Sequence, residues 1–142
     1  MKKSIPIILL LLIAVSAFTR GVGLWSEATL QEASDLILVG TVAVVKDLDE
    51  TNSLGYDICQ FRGVETTFKV SMVLKGSFTN NQFVLHHYRF EDDLLRPPNG
   101  PVFIGFSPFL TNKYKLYLVK DGANRFAPVT GQIDPYLSVK KP

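Results

Sequence analysis

Cysteine is almost missing from this chain: among 142 residues Cys59 stands alone. An intramolecular disulfide framework is therefore impossible, and so is a thiolate-rich zinc site. Histidine is nearly as scarce, with only His86 and His87, side by side. Neighbouring residues of a regular strand point to opposite faces, so these two imidazoles do not share a metal unless the strand is bulged. Internal repeats are absent too. A surplus of one charge is also missing from the working protein. The whole chain holds 15 basic and 13 acidic residues, but Lys2 and Lys3 fall in an N-terminal leader, and without them the basic residues also number 13. A balanced surface does not capture nucleic acid or anionic lipid by charge, so nucleic acid is not expected among the partners.

The leader is the most informative feature present. Met1 to Ala17 begins with Lys2 and Lys3, continues through an apolar run from Ile5 to Val15, and ends on the small-residue pattern Val15-Ser16-Ala17. That order is the signature of a secretory signal peptide. A spanning helix needs about 20 apolar residues, whereas this run is shorter, carries Pro6 and is followed by Arg20. The expectation is a signal peptide over residues 1–17, a single domain over 18–142, a secreted or periplasmic location, and no stable membrane span after cleavage. A chain of that size buries a core without disulfides. Cys59 then reads as a small buried hydrophobe, since its neighbours Tyr56-Asp57-Ile58 and Gln60-Phe61-Arg62 offer no clear cationic setting to activate a thiol.

Ser26 predicts a helix N-cap, with Glu27 at the positive end of the dipole, Trp25 stapled against Leu30, and the helix running to about Ser34. Leu36 to Val45 is apolar on both alternating faces and β-branched, which predicts a central strand, with a bend or bulge at Gly40. Lys46 to Gly63 is aperiodic and reads as a long loop. Thr66, Phe68, Val70, Met72 and Leu74 then alternate with Thr67, Lys69 and Ser71, predicting a half-buried strand that faces the first set inward. In the next strand, Gln82 to Phe90, Phe83 and Leu85 share one parity and Tyr88 and Phe90 the other. A β-bulge at His86-His87 would turn all four inward. Short strands are expected over Val102–Phe106, around Tyr114, Leu116 and Leu118, and from Phe126 to Val129, with Pro128 at an edge. Five or six short strands and one short N-terminal helix make a mainly β domain, a small antiparallel barrel of OB type.

Three segments carry a family likeness: Ala33-Ser34-Asp35-Leu36-Ile37-Leu38-Val39-Gly40-Thr41-Val42, Thr67-Phe68-Lys69-Val70 leading to Leu74-Lys75-Gly76, and Tyr114-Lys115-Leu116-Tyr117-Leu118. Together they resemble secreted bacterial proteins with a netrin-like module, the OB-type barrel shared with tissue inhibitors of metalloproteinases. The resemblance spans about Ala33 to Val119 and implies that barrel and an extracytoplasmic interaction role. It does not extend to the inhibitors' chemistry. Those proteins chelate zinc through an N-terminal cysteine, whereas cleavage here would expose Phe18 or a residue close to it, and the family's disulfides have no counterpart.

Candidate chemistry is sparse. His86 and His87, with the carboxylates Glu91, Asp92 and Asp93, form the one cluster able to bind a ligand or partner, and the acidic, Pro-stiffened loop from Glu91 to Pro101 is the most plausible partner-facing segment. Gly105-Phe106-Ser107-Pro108-Phe109 lacks the closing glycine and the strand-to-helix setting of a nucleophile elbow. No metal and no cofactor is expected. The reading is a non-enzymatic binding module for an extracytoplasmic protein or small ligand. Its alternatives are a small hydrolase using His86 or His87 with the nearby acids, and a structural component of an envelope complex.

Overall fold

The computed structural model describes residues 23–91, 96–123 and 125–141, and its frame is one long antiparallel hairpin. Strand β1 runs from Leu36 to Asn52 and β2 from Phe61 to Lys75. The segment expected to be a loop after Lys46 is thus mostly strand, pairing Lys46 with Glu65 and Asn52 with Phe61. Its polarity and a register shift between Asp47 and Thr51 hide the two-residue period that marks a strand. The leader, residues 1–17, lies outside the described residues, as do Asp92 and Asp93.

Strand β3, Gln82–Phe90, pairs with β2 without interruption from Phe61↔Phe90 to Lys69↔Gln82. The bulge expected at His86-His87 does not form. Phe83, Leu85 and His87 face one side of the sheet, while Tyr88 and Phe90 pack on the other. Each set finds its own apolar cover, so nothing is gained by forcing all four to one face.

Strand β4, Lys113–Lys120, pairs with β1, and two short strands line its far edge: β5, Phe126–Pro128, and β6, Val139–Lys140. The order β3-β2-β1-β4-β5 forms a single antiparallel sheet with β6 beside β4. It curls without closing. The rings of Phe83 and Phe126 approach to 6.3 Å between centroids, yet β3 and β5 share no ladder. The barrel expected from the strand pattern is therefore an open one.

Both sheet faces are covered, which is why β1 is apolar on both parities. Leu36, Leu38, Val42, Phe68, Leu85, Leu116 and Leu118 form the main core. On the reverse face Ile37 and Tyr117 lie under Leu30 of helix α1, Glu27–Ala33. Ser26 caps that helix by accepting from the Thr29 amide, and Trp25 packs beside Leu30 as the staple predicts. A third cluster joins Cys59, Phe61 and Tyr88 with Phe90 and Phe103, and it holds the far end of the hairpin.

Two expectations about single segments fail. Val102–Phe106 is not a strand; it is irregular backbone that lays Phe103 on the third cluster and Phe106 on the main core. Met72 and Leu74 are exposed, because β2 runs on past the end of β3 and the pairing shifts register between Val39 and Gly40. Gly40 itself does mark an irregularity, and a side chain there would place its Cβ 2.8 Å from the Lys69 carbonyl oxygen. Among the described residues no helix is long and apolar enough to cross a membrane.

Candidate functional site

The gap between β3 and β5 opens into a cleft of about 680 Å³. Its polar lining comes from all parts of the sheet: Glu50 of β1, Glu65 of β2, His86 of β3, Asp121 and Arg125 from the β4–β5 turn, and Gln132 beyond β5. Phe83 and Phe126 supply apolar lining. The cleft is half open to solvent at His86 and Glu50.

His86 sits directly across from Glu65 in the β2–β3 ladder. Its Nε2 lies 2.6 Å from Glu50 Oε1. Glu50 can reach that far only because Gly63 lies in its path. A Cβ at Gly63 would stand 2.6 Å from Glu50 Cγ and Oε1, so the missing side chain is the passage that lets a β1 carboxylate cross β2. The His86 ring also stands edge-on to Tyr88, at 5.1 Å between centroids. Glu65 and Asp121 make no ion pair among the described residues, which leaves the cleft with more acid than base.

Gln132 bridges the seam. Its Nε2 donates to the His86 carbonyl oxygen at 3.0 Å, while its Oε1 is shielded from solvent and has no hydrogen-bond partner. The bond also fixes the sense of the β3 edge. In an antiparallel strand the N–H and C=O of one residue point the same way, successive residues point to opposite sides, and residues two apart point to the same side. Since the His86 carbonyl turns away from β2, the backbone groups of Val84 do so as well.

His87 has a different environment. It is 2 % exposed, its Nε2 lies 2.8 Å from Thr66 Oγ1, and its ring packs edge-on against Phe106. Burial pushes its pKa down to about 4; the nearby Tyr88 backbone opposes that shift and His86 adds to it. Its Nδ1 has no hydrogen bond of good geometry. His87 is therefore a neutral core residue at physiological pH, on the face of the sheet opposite His86.

Glu91 lies elsewhere again. It is clamped by Arg62, whose Nε donates to Oε2 at 2.6 Å and whose Nη2 donates to Oε1. That guanidinium holds the carboxyl below the usual carboxylate range. Arg89 and Asp47 form a parallel pair next to it, at 2.7 Å. Glu91 borders a second depression of about 510 Å³, where Arg96 lies 4.8 Å over the Phe90 ring and Pro97 and Pro101 line one wall.

The five residues singled out from the sequence are thus not one site. His86 lines the seam, His87 fills the core and Glu91 is tied into an ion pair, while Asp92 and Asp93 lie outside the described residues. Among the described residues no group of three or more His, Cys, Asp or Glu side chains gathers in a way that could hold a metal ion. Glu50, Glu65 and Gln132 were missed by sequence reasoning. The one available signal was Gly63, an isolated glycine beside a polar strand, and it was masked by reading Lys46–Gly63 as a loop. No protein-family model matches the chain, and no curated protein matches it.

Proposed function

We propose that this chain is an extracytoplasmic, non-enzymatic binding module of OB-like, netrin-like architecture, and that it takes its partner in the cleft between β3 and β5. The leader pattern over residues 1–17 supports export, and the open six-stranded sheet is compatible with the architecture. One observation carries the binding reading: a cleft of about 680 Å³ meets a strand edge that is unpaired among the described residues, and acids from three separate segments converge on it. A cleft of that size with a few convergent polar groups is the usual form of a ligand site.

Panning a displayed peptide library on the purified protein tests this reading. Enriched peptides should lose affinity for the Glu65→Gln variant and should perturb the amides of Val84 and His86. Peptides that bind Glu65→Gln as well as the parent, or that perturb only residues remote from the seam, refute it.

The His86–Glu50 contact favours one second reading, hydrolysis. An imidazole oriented by a carboxylate can draw a proton from water. No Ser, Thr or Cys lines the cleft among the described residues, so water would have to be the nucleophile. Turnover of simple chromogenic esters by the purified chain, abolished by His86→Ala, would establish hydrolysis and displace the binding-only reading.

A further inference from the structure

We infer, on the strength of the binding reading above, that the cleft takes an extended segment of a partner protein as an added strand on β3, and that this segment alternates Lys or Arg with apolar residues. The backbone of the β3 edge is open for it. Among the described residues β3 pairs on one side only, with β2, and Val84 turns its N–H and C=O toward the gap. Strand addition uses such an edge for affinity and the flanking side chains for selectivity.

Alternation follows from the two faces of β3. His86 lies on one face with Glu65 across from it and Glu50 at 2.6 Å; Phe83 lies on the other, against Phe78 at 5.8 Å and Phe126 at 6.3 Å. Side chains of an added strand would alternate between these faces. One set would meet carboxylates and the other aromatic rings. Glu50, Glu65 and Asp121 outnumber the basic groups Arg125 and His86 in the lining, so the charged set is basic.

Gln132 occupies the seam in the absence of such a segment. Its bond to the His86 carbonyl stands where an incoming backbone N–H would donate, and its unpartnered Oε1 is an acceptor already waiting in the gap. Docking would release the Gln132 amide from the edge and give that oxygen a donor. An unsatisfied buried acceptor costs free energy, so the exchange favours the occupied state.

Three blocked synthetic octapeptides test this against the full-length exported protein at low salt. One alternates lysine and valine, one alternates glutamate and valine, and one is the lysine–valine peptide carrying N-methyl groups on alternate backbone nitrogens. The lysine–valine peptide should bind at least roughly tenfold more tightly than the glutamate–valine one, weaken with added salt, and lose roughly tenfold or more on N-methylation. It should also shift the Gln132 side-chain amide resonances. Glu65→Gln should weaken it by a few fold. Val84→Pro removes only an outward N–H from an edge strand and should cost roughly tenfold in affinity with the fold retained; if that variant does not fold, the N-methylated peptide decides. Equal binding of the acidic and basic peptides, indifference to N-methylation, or no binding of the lysine–valine peptide overturns the proposal. Library peptides that dock at the seam but tolerate N-methylation would overturn strand addition while leaving the binding reading intact.

Discussion

The stability of this domain should fall on mild acidification because of one residue, His87. A buried imidazole stays neutral in the folded protein down to a pKa of about 4, against an ordinary value of 6.5. Between those values the unfolded chain binds a proton that the folded chain refuses, so stability rises with pH across that window and is lost as pH falls through it. With those two constants the expected loss is about 2 kcal/mol between pH 7.5 and pH 5, and about 3 kcal/mol by pH 4. Below pH 4 the loss levels off, because both states are then protonated. The effect is not shared with the exposed carboxylates. Arginine partners hold Asp47 and Glu91 below their usual range, so their contribution is lost only at more acidic pH.

Urea unfolding of the parent and of His87→Gln, at pH 7.5 and pH 5, isolates the contribution of His87. Glutamine does not titrate and keeps a polar group near Thr66. The stability difference between the two proteins should shift by about 2 kcal/mol in favour of the variant on going to pH 5. A shift under about 0.5 kcal/mol would refute the burial argument, because a tenfold change in proton affinity is already worth about 1.4 kcal/mol.

Two substitutions probe the frame that positions the cleft. Gly40→Ala would drive a Cβ to 2.8 Å from the Lys69 carbonyl oxygen, a backbone atom that moves only with β2; it should destabilise by about 1–3 kcal/mol, read as a lowered urea midpoint with an unchanged slope. Phe61→Ala removes a ring with no exposure that meets Tyr56, Phe90 and Phe103 edge-on at 5.8, 5.7 and 5.1 Å, and it should cost about 3–5 kcal/mol in the same assay.

The sequence was legible wherever a strand had one wet face and one dry one. Thr66, Phe68 and Val70 point inward as their alternation requires, and Tyr114, Leu116 and Leu118 do the same. It was also legible at Ser26, where capping is a local rule that needs no tertiary partner. It failed where two faces each had a separate cover. Tyr88 and Phe90 looked out of phase with Phe83 and Leu85 only because Cys59 and Phe61, which bury them, come from a segment read as a loop. Reading that segment as a loop also hid the candidate site. Glu50 and Glu65 lie far apart in sequence from His86, and no local pattern announces that Gly63 opens a path between β1 and β3.

The cleft itself follows from how the C-terminal strands end. β5 spans only Phe126–Pro128, and Pro128 has no N–H to offer, so β5 makes a poor partner for the β3 edge. An unpaired edge is a hazard for any protein, because it invites pairing with other chains. This edge is guarded at separated points. Gln132 bonds the His86 carbonyl at 3.0 Å, and Arg89 Nη1 bonds the Phe90 carbonyl at 2.9 Å. Val84 has no such guard among the described residues, and it is half exposed at the same cleft that Glu65 and Asp121 line. A protein that only needed to block its edge would gain from covering this stretch too. Leaving it open beside aromatic and acidic walls restricts what can pair there by charge and by shape, which is what the proposed strand addition requires.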